Sequence, residues 1–157
     1  MNRPSNHSAN HFPDHSSNHS SGRLRLRVGG FEFVGRPEVT LAPRSVGLLT
    51  SLLPLERAAL HARWSGEAVW VPLGTGLTLD AENATAYPQP GQLLLYAGPA
   101  SEPELLIPYG ACAFASRAGP LAGNHVITLE GEASALRELG ETVLWKGAQS
   151  LQLAWAD

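Results

Sequence analysis

The chain has 157 residues, 16% of them charged, and a formal net charge of −3 at pH 7 with neutral histidines. That length accommodates one domain with its own core plus a tail, and without a basic excess the phosphate-driven affinity of nucleic-acid binding has no source. Cys112 is the only cysteine, which excludes an internal disulfide, and no apolar run reaches the roughly 20 residues of a membrane span.

Residues 1–22 are Ser, Asn and His with almost no aliphatic content, a composition that cannot offset the entropy of ordering. They are expected to form a disordered tail, leaving residues 23–157 as the domain. His7, His11, His15 and His19 recur every four residues, a spacing that on a helix would gather a metal, but Pro13 opposes that helix. The start also lacks the apolar core of a secretory signal, so the expected compartment is the cytoplasm.

From Arg23 the pattern becomes alternating: Leu24, Leu26 and Val28 between arginines, then Gly29-Gly30, then Phe31-Glu32-Phe33. Two alternating runs joined by Gly-Gly predict a tight hairpin with Arg23, Arg25 and Arg27 on its outer face. Glu38 to Leu41 predicts a short strand. Pro43 suits the first turn of a helix running to about Leu53, with Val46, Leu49, Leu52 and Leu53 at helical spacing. Leu55–Trp64 and Glu67–Pro72 predict a second hairpin across Ser65-Gly66, although the helix formers in ERAAL leave a resumed helix open. Trp64 and Trp70 flank that turn and can stack within the core or at a pocket mouth, with at least one expected in the core. Residues 74–90 are weakly patterned and read as a long loop.

The stretch from Pro90 to Leu129 is the one around which the chain is organised. Its apolar runs Leu93–Tyr96, Leu105–Ile107 and Val126–Leu129 are short and bounded by Gly and Pro, the signature of buried strands. A helix from about Glu132 to Trp145 and a closing strand from Gln149 to Trp155 follow. About eight short strands, two helices and many Gly/Pro turns predict a mainly β fold, a closed or nearly closed barrel with two capping helices.

Trp64-Ser-Gly-Glu67 with Trp70, Pro90-Gly91, Leu94-Leu-Tyr96, Glu104-Leu-Leu-Ile-Pro-Tyr-Gly110 and Phe114-Ala-Ser-Arg-Ala-Gly119 leading to Leu121-Ala-Gly-Asn-His125 resemble a family of small bacterial proteins with a cyclophilin-like β-barrel. The resemblance covers roughly Arg23 to Trp155 and implies that barrel, but no reaction. Cyclophilins isomerise X-Pro bonds with an arginine followed five residues later by phenylalanine and three further on by glutamine. Here Arg57 is followed by Ala62 and Ser65, and Arg63 by Ala68 and Val71, so that motif is missing.

The polar residues of the central stretch carry the candidate chemistry. His125 can act as base, donor or ligand near neutral pH, and Asn124 offers a donor and an acceptor; the alternative is that both simply fix loop backbone. Arg117 can clamp a carboxylate, with an exposed strand-end arginine as the bland reading. Glu67 can pair with Arg117 or act as an acid, and Tyr109 can place a phenol in the barrel mouth, while His61 among alanines reads as a structural histidine. Cys112 between alanines reads as a small buried hydrophobe. Ser116, flanked by Ala115 and Arg117, lacks a hydrolase elbow. A metal on His61, Glu67 and His125 needs three long-range coincidences, and neither metal nor cofactor is expected.

The expected function is therefore a binding module. A mouth lined by Trp64, Glu67, Tyr109, Arg117, Asn124 and His125 would hold a small anionic or amide-bearing metabolite or a short peptide. The alternative is an enzyme, a weak prolyl isomerase or small-amide hydrolase using His125. A third reading is a partner protein or homo-oligomer associating through the hairpin arginines or a strand edge.

Overall fold

The computed structural model describes residues 22–157; the four-histidine repeat and most of the expected tail lie outside the described residues. The strands are β1 (Leu24–Val28), β2 (Phe31–Pro37), β3 (Leu55–His61), β4 (Gly66–Pro72), β5 (Ala84–Thr85), β6 (Gln92–Tyr96), β7 (Glu104–Cys112), β8 (Ala115–Ser116), β9 (Gly119–Pro120), β10 (Gly123–Glu130) and β11 (Gln149–Trp155). The helices are α1 (Pro43–Ser51) and α2 (Ala133–Lys146).

Eight strands form an antiparallel ring in the order β2-β1-β11-β3-β4-β7-β6-β10, and β10 closes it against β2 through Ile127↔Pro37 to Glu130↔Val34. Closure removes the exposed sheet edges of an open sheet. The first hairpin is as the alternation predicts, with Gly29 at φ 55° in its turn and Leu26 opposite both Phe33 and Leu153. Leu24, Leu26, Val28, Val69, Val71, Leu93, Leu95, Leu105 and Ile107 fill the interior, and Val46 and Leu49 of α1 and Leu136, Leu139 and Val143 of α2 pack into the same core. This is a filled barrel, with side chains where a lumen would be.

A second, smaller core lies on the outside of the β4-β7-β6 wall. Ala68, Leu94, Tyr96, Leu106 and Phe114 form it, backed by Ala62, Cys112 and Leu121. Phe114 and Leu121 flank the miniature β8–β9 hairpin, which therefore covers this wall. Strand β6 is buried on both faces as a result, and reads as an unbroken apolar run rather than an alternation.

Two expectations are corrected, and one open alternative is settled in favour of the predicted hairpin. Glu38–Leu41 is a turn, closed by the Ala42 N–H on the Glu38 carbonyl at 2.8 Å, and Leu41 is 59% exposed. Residues 55–61 are strand, because pairing with β11 from Leu55↔Leu153 to Gln149↔Ala59 overrides the helix propensity of ERAAL. Neither Trp64 nor Trp70 enters the core: Trp64 is 56% exposed and Trp70 half-buried on the outer wall. No helix among the described residues is long and apolar enough to cross a membrane.

Candidate functional site

Strand alternation decides which side chains meet. On β4 and β7 the inward set is Val69, Val71, Leu105 and Ile107, and the outward set is Trp70, Glu104 and Leu106. Immediately before β4, Ser65 pins the β8–β9 hairpin beside that outward set. Its hydroxyl donates to the Ala115 carbonyl at 3.2 Å and accepts the Ala115 N–H at 3.1 Å, and its carbonyl accepts the Ala113 N–H at 3.0 Å. Between wall and hairpin lies an open groove of about 170 Å³, lined among others by Arg63, Trp64, Trp70, Glu104, Ser116 and Arg117.

The electrostatics of this groove are mixed. The Arg63 and Arg117 guanidinium groups are exposed, and neither has a hydrogen-bond or ion-pair partner among the described residues. Glu104 is 8% exposed and accepts the Trp70 indole N–H at 3.1 Å. Burial pushes its carboxyl up to about 7, opposed by the Trp70 bond and reinforced by the nearby Glu102 carboxylate. Burial also pushes the Cys112 thiol up to about 11, which removes it as a nucleophile at neutral pH.

The six expected site residues do not share one rim. Trp64 and Arg117 lie in the groove, on the outer wall rather than the barrel mouth. Glu67 sits at a bulge between Gly66 and Ala68 and pairs with Arg137 of α2 at 3.1 Å, not with Arg117. That guanidinium, together with the Ala111 N–H, holds Glu67 below the usual carboxylate range. Tyr109 belongs to the inward set, donates or accepts at 2.7 Å with His61 Nε2, and lies beneath Arg137. His61, whose Nδ1 meets the Ala62 carbonyl at 2.8 Å, is satisfied at both ring nitrogens.

Asn124 and His125 occupy a third place. Asn124 Oδ1 accepts the Glu82 N–H at 3.0 Å, and Nδ2 donates to the Asp80 carbonyl at 2.9 Å and to Ser45 Oγ at 3.0 Å. Glu82 in turn accepts from the Ser45 N–H at 2.8 Å and the Arg44 N–H at 3.3 Å, capping the start of α1 from 37 or more residues away. Burial would push the Glu82 carboxyl up, but these bonds outweigh it and hold it at about 2. Asn124 thus fixes the 74–90 excursion against α1. Asn124→Ala is expected to destabilise the fold by roughly 2 kcal/mol in urea titration, because a buried N–H and a carbonyl lose their partner together. His125 Nε2 meets Thr128 Oγ1 at 3.0 Å, and that hydroxyl donates to Glu38 at 2.6 Å. Burial holds the imidazole below its usual range against the pull of Glu38.

Reading the sequence missed Glu104 and Arg63 as groove residues, and placed Trp70 at a pocket mouth only as the alternative to the core. The signal available was a carboxylate opening the run ELLIPYG, whose remaining members are apolar on both strand faces.

A family model described as "Protein of unknown function (DUF3830)" matches residues 24–155. No curated protein matches the chain. Among solved structures, the chain is similar to McbB in complex with tryptophan, at 17% identity and a TM-score of 0.68, covering 83% of this chain and 44% of that one. It is also similar to the hypothetical protein AF2241 from Archaeoglobus fulgidus, at 15% identity and a TM-score of 0.54, covering 87% and 96%. The chain therefore spans less than half the length of McbB, and at these identities the likeness establishes the fold alone.

Proposed function

Since the chain belongs to the DUF3830 family of unknown function, we propose from its geometry that it is a binding module whose groove between the β4-β7 wall and the β8–β9 hairpin holds a small carboxylate-bearing metabolite or short peptide. The observation carrying this reading is that two guanidinium groups without a partner among the described residues, Arg63 and Arg117, stand with Trp64 and Trp70 around one open groove. Arginine matches a carboxylate bidentately, and indole faces accept an apolar body. A groove of about 170 Å³ is of the size that takes a benzene-sized group. The likeness to McbB, solved with tryptophan, is in keeping with an amino-acid-sized ligand.

We also read the barrel as cyclophilin-like, supported by its closed eight-stranded antiparallel ring with two helices packed into the core. The alternative of an isomerase or amide hydrolase using His125 has less support, since His125 does not line the groove and its Nε2 is bonded to Thr128.

Thermal-shift titration with N-acetyl-L-phenylalanine tests the binding reading, because a ligand that binds only the folded chain raises its melting temperature. Arg117→Ala is expected to weaken the apparent affinity about tenfold, the usual scale of a charge-assisted contact. His125→Ala should leave it within about twofold of the parent, whatever it does to the baseline stability. Equal losses in both variants, or none in either, would remove the groove as the site.

A further inference from the structure

Glu104 leaves one acceptor unused. Its side chain is more than nine-tenths buried, and one carboxylate oxygen takes the Trp70 indole N–H. The other has no partner among the described residues. It is not sealed away either, since no fully buried side-chain oxygen or nitrogen among the described residues lacks a partner. Solvent therefore reaches that oxygen, and Glu104 is among the residues lining the groove.

A carboxylate taken this far out of water is unfavourable unless donors face it. The two arginines of the same groove do not reach it, as neither forms an ion pair among the described residues. Ser65, which lies nearby, spends its hydroxyl on Ala115 instead. The groove thus supplies cationic donors for an anion and a recessed acceptor oxygen to which none of the described residues donates.

We propose that Glu104 is the specificity-determining residue of the groove, reading an N–H donor on a ligand whose carboxylate meets Arg117 and Arg63 and whose apolar body lies on Trp64 and Trp70. The ligand class is then an amino-acid derivative, an N-acylated amino acid or a short peptide with a free carboxylate. This deepens the binding reading above and rests on it.

The test compares N-acetyl-L-phenylalanine with its N-methyl derivative, which lacks the amide N–H, by calorimetric titration of the full chain and of Glu104→Gln. The parent is expected to bind the N–H probe about tenfold more tightly, the scale of one hydrogen bond to a charged acceptor. In Glu104→Gln the orientation of the new amide is dictated by Trp70, whose indole N–H can only donate. The amide carbonyl must face Trp70, which leaves the NH₂ in the groove, where an N–H ligand meets another donor. The preference for the N–H probe should then vanish. Any steric or cis–trans effect of the added methyl is common to both proteins, so an N-methyl penalty of equal size in parent and variant overturns the inference, as does the lack of one in the parent. Absence of saturable binding by either probe to the parent removes the groove reading itself, and the inference falls with it.

Discussion

Gly140→Ala is expected to destabilise the fold by roughly 2 kcal/mol net in urea titration, because the roughly 3 kcal/mol at the upper range for forcing added bulk into a packed core exceeds the gain of about 1 kcal/mol that alanine brings to a helix interior. Gly140 lies on the buried face of α2, and a Cβ there would fall inside the van der Waals envelope of the Tyr109 ring. The ring cannot swing aside cheaply. Its hydroxyl is tied to His61 Nε2 at 2.7 Å, His61 stands edge-on to it at 5.7 Å, and Arg137 lies over its face at 5.9 Å while holding Glu67. Lifting α2 instead would unpack Leu136, Leu139 and Val143 from the barrel core. The double variant Gly140→Ala with Tyr109→Leu separates these costs, because removing the ring creates the room the methyl needs. It should be more stable than the sum of the two single changes predicts. Full stability in Gly140→Ala alone would mean that α2 is not seated on Tyr109.

The barrel was legible in the sequence because its signals are local. Leu24-Arg-Leu-Arg-Val28 followed by Gly-Gly names one strand, one turn and its partner, and Gln149–Trp155 alternates with Leu151 and Leu153 buried. The site was less legible because adjacency along a strand means separation in space. Trp64 and Glu67, three residues apart, end on opposite sides of the β4-β7 wall, one in the groove and one beneath α2. Tyr109 follows Leu105 and Ile107 inward, while Glu104 and Leu106 face out. Glu82 caps α1 across 37 residues, and no local pattern announces such a pair. The turn at Glu38–Leu41 was misread for a related reason: Glu38 is drawn in by Thr128, 90 residues away, which ends the strand that its neighbours favour.

The difference in unfolding free energy between Glu104→Gln and the parent should move in the variant's favour by roughly 3 kcal/mol as pH rises from below 4.5 to above 7, and then level off. The direction follows from which state holds the proton. Burial raises the Glu104 carboxyl from 4.5 to about 7 in the folded chain, so between those values the folded state binds more protons than the unfolded one, and parent stability falls as pH climbs. A neutral amide of the same shape keeps an acceptor for the Trp70 N–H at 3.1 Å and has nothing to ionise. Glu82, held at about 2, contributes in the opposite sense, with stability lost only as pH falls toward that value; it is common to both proteins and cancels in the difference. Equilibrium denaturation of both proteins across that pH range reads the effect directly. A difference that does not change with pH would show that the carboxyl titrates normally and is solvated. A rising difference would mean that the fold bears a carboxylate that weakens it at neutral pH, the kind of local cost the proposed ligand-reading role of Glu104 requires.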